Sequence, residues 1–159
     1  MDELLKLLKN NALEKNEDIA KMLDMSVDEV KSKIQEYEQK GVIKGYQAVV
    51  DEDMLHLDTV RAFIEVNVQP EREGGFDRIA KRIAGFTEVE SLFLMSGKAD
   101  LLLMVKAESL KDVAFFVSET LASIEGVTAT STSFNLKIYK YNGINMEEED
   151  EYERLKVTP

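Results

Sequence analysis

The chain contains no cysteine, which excludes disulfides, thiolate nucleophiles and cysteine metal sites and agrees with a reducing compartment. Its single histidine, His56, sits between Leu55 and Leu57, where a lone histidine reads as a packing or surface residue. No group of side chains has metal-ligand spacing, and there is no phosphate-cradling glycine loop or nucleophile elbow. Neither a metal, nor a cofactor, nor catalysis is therefore expected. No apolar run approaches the ~20 residues that cross a bilayer, and Met1 leads into a charged amphipathic segment instead of a secretory signal. The expectation is a cytoplasmic protein with no membrane partner.

Surplus positive charge is missing as well. The 20 Lys and Arg face 31 Asp and Glu, for a net charge of −11. Residues 1–57 hold 8 basic and 13 acidic side chains (−5), 58–146 hold 10 and 12 (−2), and 147–159 hold 2 and 6 (−4). Indiscriminate binding to nucleic acid needs surplus Lys and Arg and is excluded, whereas specific binding through a locally basic surface is not. What the chain does have is 44% apolar residues, enough to bury the core of one or two small domains.

Leu4, Leu5, Leu7, Leu8 and Ala12 recur at helical spacing and predict a first helix. Asn16 is expected to cap a second, over 17–23, with Ile19, Ala20, Met22 and Leu23 inward. Asp24 and Met25 make a tight turn, tolerable for Asp because it adopts left-handed backbone. Ser26 then opens a third helix with Glu29 three residues on, the capping-box spacing, while Met25 and Val30 fit a hydrophobic staple. Val30, Ile34 and Tyr37 share its inner face, and Gly41 stands at its C-terminal end. The pattern predicts a helix-turn-helix, winged-helix-like, over residues 1–50, with 42–50 leaving it as a strand and 51–58 as a hinge.

Beyond the hinge, Val60, Ala62, Ile64, Val66 and Val68 alternate along a strand. A loop at 70–75 follows, then a helix with Phe76, Ile79, Ala80 and Ile83 on its apolar side, strands at 89–95 and 101–106, a helix after Ser109 ending at Gly126, and a strand at 127–139. The α+β order βαββαβ over 59–141 predicts a ferredoxin-like domain, a four-stranded antiparallel sheet behind two helices. Residues 142–159 form an acidic tail, whose carboxylates read as a solvated run and whose Tyr152, Leu155 and Val157 can dock on the body. The run Leu101-Leu102-Leu103-Met104-Val105 is apolar on both sides, as for a strand buried on both faces. Two helices cover one face, and no spare element is apparent for the other. A second copy, sheet against sheet, is expected to cover it.

Three stretches in this order resemble the leucine-responsive regulatory protein/AsnC family over nearly the whole chain. They are Asn16-Glu17-Asp18-Ile19-Ala20 leading to Met25-Ser26, then Glu38 to Tyr46 (EQKGVIKGY), then the Gly97-Lys98-Ala99-Asp100 turn. The resemblance implies a DNA-binding head, a C-terminal domain of the type called regulation of amino-acid metabolism, dimers building to tetramers or octamers, and a small effector, usually an amino acid. Similar proteins commonly carry glycine where Asp24 stands and arginine where Lys33 stands.

In a helix-turn-helix the third helix enters the major groove of double-stranded DNA. Its candidate contacts are Ser26, Val27, Asp28, Lys31, Ser32, Lys33 and Gln35: Ser32 and Gln35 can read base edges, Lys31 and Lys33 can meet phosphate or guanine, and Asp28 puts negative charge at the phosphate-facing end. The effector candidates are Met95, Ser96, Gly97, Lys98, Ala99 and Asp100, with Thr130 and Thr132 from the last strand. Backbone N–H groups of such a turn hold a carboxylate and the Asp pairs with an ammonium, the two ends of a free amino acid. The alternative, that Gly97 and Asp100 make an ordinary hairpin turn and threonines are ordinary in strands, stays open. So do two alternative functions: an effector-binding or oligomerisation module that has lost DNA binding, and an enzyme on the ferredoxin-like fold.

Overall fold

The computed structural model describes residues 1–69 and 75–147; most of the loop expected at 70–75, and the tail beyond Glu147 with Tyr152, Leu155 and Val157, lie outside them. The chain divides into two compact units, Met1–Val49 and Val50–Pro159.

The first unit holds α1 (Glu3–Asn10), α2 (Asn16–Leu23) and α3 (Val27–Gln39). Asp2 caps α1 by accepting the Leu4 N–H at 3.0 Å. Asn16 is not a cap, since α2 starts on it after Lys15, which makes no side-chain cap. Asp24 closes α2 in left-handed backbone, φ 52° and ψ 49°, as the tight turn requires. Both halves of the Ser26–Glu29 capping box are made, and the Ser26 N–H donates to Glu29 Oε2 at 2.8 Å. The helix ends where Gly41, at φ 66°, lets the Val42 N–H reach back to the Tyr37 carbonyl at 2.8 Å, a Schellman-type close.

Leu4, Leu8, Ile19, Ala20 and Val30 form the core of this unit, with Leu23, Met25, Ile34 and Tyr37 against it. Met22, expected inward, is 61% exposed. A surface helix buries one stripe, and Ile19, Ala20 and Leu23 already fill it. The strand expected at 42–50 is absent. An extended segment without a neighbour has no partner for its backbone groups, so β-prone residues alone do not make a strand.

The second unit holds β1 (Val60–Val68), α4 (Asp77–Ile83), β2 (Val89–Leu94), β3 (Leu101–Ala107), α5 (Leu110–Phe115) running into a π-helical turn (Phe116–Leu121), and β4 (Val127–Phe134). The sheet is antiparallel in the order β2-β3-β1-β4, the ferredoxin-like arrangement. Ala62, Ile64 and Val66 of β1 lie opposite Val105, Leu103 and Leu101 of β3. All six are buried under Ile79, Ile83, Val113, Phe116, Leu121 and Ile124 from the helical layer.

β4 stops at Phe134, and the chain then builds a small hairpin, β5 (Lys140–Tyr141) with β6 (Ile144–Asn145). Its turn residues Asn142 and Gly143 have φ 47° and 88°, the two positive values of a type I′ turn. This segment corrects the expectation that nothing in the chain reaches the second sheet face. Asn135, Ile138 and Tyr141 line a cavity of about 340 Å³ with Phe63 and Met104 of that face. Met104 is only 7% exposed, whereas Phe63 and Phe93 stay at 40% and 51%, so the covering is partial.

The segment 51–58, expected to be a hinge, contains a short 3-10 turn (Asp53–Leu55) and is pinned to the sheet. Glu52 Oε1 accepts from Arg61 Nη2 at 2.8 Å and Lys106 Nζ at 2.9 Å, and Arg61 Nε donates to Glu90 Oε2 at 2.8 Å. The Lys106 hydrogen bond, then the Arg61 one, hold the Glu52 carboxyl below its ordinary range. The Glu90 hydrogen bond, with Glu52 adding to it, pushes the Arg61 guanidinium further toward its charged form.

Candidate nucleic-acid interface and effector site

On α3, Val30, Ile34 and Tyr37 point into the core, which leaves Asp28, Ser32 and Gln35 exposed on the opposite side with Lys31 beside them. Two of the expected contacts leave this face. Val27 packs on the core, and Lys33 Nζ turns to Asp2 Oδ2 at 3.3 Å. At 100° per residue Lys33 lies nearer Val30 than Ser32, which is why it reaches the start of α1. Ser26 is engaged as the helix cap. Among the described residues Lys31 is the one Lys of α3 without a carboxylate partner; Asp28 has no partner either, while Glu29 is held in the capping box and Glu36 pairs with Lys40. Hydrogen bonds from Ser26 keep the Glu29 carboxyl low.

Asp2 joins α1 to α3. The Tyr37 hydroxyl donates to its Oδ2 at 2.5 Å beside Lys33. The Tyr37 bond, with the Leu4 N–H and Lys33 adding to it, lowers the Asp2 carboxyl to about 2. A folded pKa below the unfolded one gives stability that is present above the ordinary value of 3.8 and is lost as pH falls toward about 2. Acid titration of the thermal midpoint should therefore show a loss across that window, and Tyr37→Phe should make it shallower; an identical titration in the variant would count against the link.

The turn between β2 and β3 is held by Asp100. Its carbonyl accepts the Met95 N–H at 2.8 Å, its N–H donates to the Val66 carbonyl at 3.2 Å, and its Oδ2 accepts the Val68 N–H at 2.9 Å. Because the Asp100 carbonyl is occupied by Met95, the carboxylate substitutes for it at the end of β1. Ser96, Gly97 and Lys98 are exposed, and a Cβ at Gly97 would meet nothing within 4 Å. Among the described residues the N–H groups of residues 96–99 donate to no protein acceptor.

Thr130 and Thr132 lie opposite Val66 and Ile64 on β4. They share the helix-side face, across β1 from Asp100, so the structure does not gather them with the turn. Sequence reasoning passed over Asn67 on β1, whose Oδ1 is buried without a hydrogen-bond partner. The available signal was an Asn between Val66 and Val68, a residue that strands disfavour. A second cavity, of about 470 Å³ and lined by Glu88, Glu108, Asp112, Phe115 and Phe116, contains none of the expected site residues.

A three-helix head with a free polar helix face, carried on a βαββαβ body, is the build of a helix-turn-helix transcriptional regulator with a ligand-binding domain. Residues 61–144 match the model of the Lrp/AsnC ligand binding domain. An uncharacterized HTH-type transcriptional regulator of Bacillus subtilis is 42% identical over 158 residues, 99% of this chain and 95% of its own. The leucine-responsive regulatory protein of Rhizobium meliloti is 28% identical over 138 residues, 87% of this chain and 88% of its own. Among solved structures, a transcriptional regulator from Neisseria meningitidis in complex with L-Met superposes with a TM-score of 0.70 at 25% identity, covering 89% of this chain and 93% of that one. The chain belongs to the Lrp/AsnC family of transcriptional regulators. Among the described residues no helix is long and apolar enough to cross a membrane.

Proposed function

We propose that the protein binds specific double-stranded DNA through α3, using Lys31, Ser32 and Gln35 with Asp28 at the rim, and that a free amino acid at the 95–100 turn modulates this binding. The observation that carries the DNA reading is the exposed face of α3: two hydrogen-bonding side chains and one uncommitted cation at the spacing that meets base edges and phosphate. Ser26 caps the leading end of that helix, Val27 packs on the core and Lys33 ties the helix to Asp2. For the effector, the turn offers unpaired N–H groups to a carboxylate and Asp100 to an ammonium, and the Neisseria relative was solved with L-Met.

The exposed Phe63 and Phe93 make the outer sheet face the contact of a homodimer, which builds further to a tetramer or octamer. Effector binding changes the assembly and with it the spacing of paired reading helices. A second reading, a ligand-binding module with weakened DNA binding, is favoured by one observation: Lys33 is occupied by Asp2 and leaves a single Lys beside Asp28 on that face. Fluorescence anisotropy on the protein's own promoter, titrated with salt, separates the two. Binding that weakens steeply with salt supports the first, and no binding at low salt supports the second.

A further inference from the structure

The segment 51–58 is folded around one side chain. Glu52 Oε1 accepts from Arg61 Nη2 and Lys106 Nζ, and its Oε2 accepts the Thr59 hydroxyl at 3.3 Å, so both carboxylate oxygens are committed. The Glu52 carbonyl accepts the Leu55 N–H at 3.1 Å and opens the 3-10 turn, while Asp51 Oδ1 accepts the Asp53 N–H at 3.0 Å. The Glu52 side chain is only 20% exposed. A charge this enclosed persists where donors replace its lost hydration, and two of its three donors come from β1 and β3. Toward the N-terminus, the Tyr46 hydroxyl donates to Glu38 of α3 at 2.9 Å. Glu52 lies six residues beyond Tyr46, and Val60, where β1 begins, lies fourteen beyond it. A chain reaches at most about 3.3–3.6 Å per residue. The connector therefore spans roughly 20 Å while Glu52 is held and roughly 50 Å once it is released.

We infer that Glu52 is a positioning residue for operator recognition: by tying the connector to Arg61 and Lys106 it limits how far each reading head travels from the body, and so makes paired heads discriminate the spacing of half-sites. The inference rests on the DNA reading proposed above. A dimer reads two half-sites one helical turn or a multiple of it apart. Its second head binds at an effective concentration that falls with about the −3/2 power of tether length, so releasing the connector weakens the native spacing only about fourfold. The penalty for a wrong spacing relaxes much more. Half-sites moved by about five base pairs shift roughly 17 Å along the axis and face the opposite side of the duplex, which a short tether cannot follow. Arg61 keeps its two contacts to Glu90 when Glu52 is lost, and the β1–β3 ladder does not involve Glu52, so the body stays folded.

The test titrates the full chain with the duplex that footprinting defines in its own promoter, and with the same duplex carrying about five extra base pairs between the half-sites. Wild type should lose about thirtyfold or more on the insertion, and Glu52→Ala less than about threefold. The variant should bind the native spacing within about tenfold of wild type, and a single half-site equally well. Glu90→Gln, which takes the other partner from Arg61 and leaves 51–58 alone, should keep the wild-type penalty. In the free protein, hydrogen exchange of the Leu55 and His56 N–H groups should quicken about tenfold or more in Glu52→Ala. Indifference of the wild type to insertion, unchanged exchange in Glu52→Ala, or a full insertion penalty in that variant would overturn this inference and leave DNA binding standing. Relaxed spacing in Glu90→Gln would overturn it too, since the effect would then be a general loosening of the body. Lys106→Met, which removes one of the three donors, serves if Glu52→Ala does not fold: an intermediate penalty supports the inference and a full one sinks it. A wild type that binds no promoter DNA removes the DNA reading and this inference together.

Discussion

A Lys31→Glu protein is expected to bind its operator roughly a hundredfold more weakly than wild type, about tenfold for each of two reading helices in a dimer, with the slope of affinity against salt reduced. The size of the effect follows from scarcity. The chain carries a net charge of −11; on α3 Lys33 is held by Asp2, and Lys40 just past its end by Glu36. Reversing Lys31 removes the remaining attraction and puts a third carboxylate beside Asp28 and Glu29. The fold should not suffer, because Lys31 is exposed and holds no partner in the folded chain. Anisotropy titrations at several salt concentrations, with an unchanged circular-dichroism melt, would bear this out. Wild-type affinity in the variant would move DNA recognition away from α3.

The second large effect is on the body. Gly126 joins the π-helical turn to β4 at φ 93°, and a Cβ there would lie 2.7 Å from Ile79 Cδ1. Its carbonyl also accepts the Gln69 N–H at 2.7 Å, so the backbone cannot swing aside without breaking the end of β1. Gly126→Ala should therefore cost about 2–4 kcal/mol, part from left-handed backbone and part from overpacking. Urea unfolding would read it as a lower midpoint. Adding Ile79→Val, which deletes the colliding methyl, should return only the packing share. An Ala variant as stable as wild type would mean that this corner relaxes freely.

The helices and main strands were legible because periodicity alone encodes which side is buried. Ala62, Ile64, Val66 and Val68 alternate along β1 and line the core, and Ser26 with Glu29 marked the start of α3 without reference to the rest of the chain. Misread features depended on what lay across from them. Residues 42–50 look like a strand but have no neighbour to pair with, and Met22 has helical spacing but no space left on the buried stripe. The hairpin at 140–145 had a local signal, Asn142-Gly143, hidden by reading 127–139 as one strand. The change to a π-helical turn after Phe115 had none.

At the site, spacing identified the Gly97–Asp100 turn but could not show that Asp100 already serves the Val68 N–H. Nothing local in the sequence signals that Lys33 pairs with Asp2, 31 residues away. Glu52 joining Arg61 and Lys106 across 54 residues was invisible for the same reason. Asn67 differs: a polar amide between Val66 and Val68 is a local misfit, and its Oδ1 is buried without a partner.

The two hydrophobic clusters, one around Leu4, Ile19 and Val30 and the other around Ile64, Leu103 and Leu121, share no side chain. Neither half leans on the other for its interior. Such a chain can drift in which operator it reads while the core of its sensor stays as it was, or change that sensor while the core of the reader stays intact.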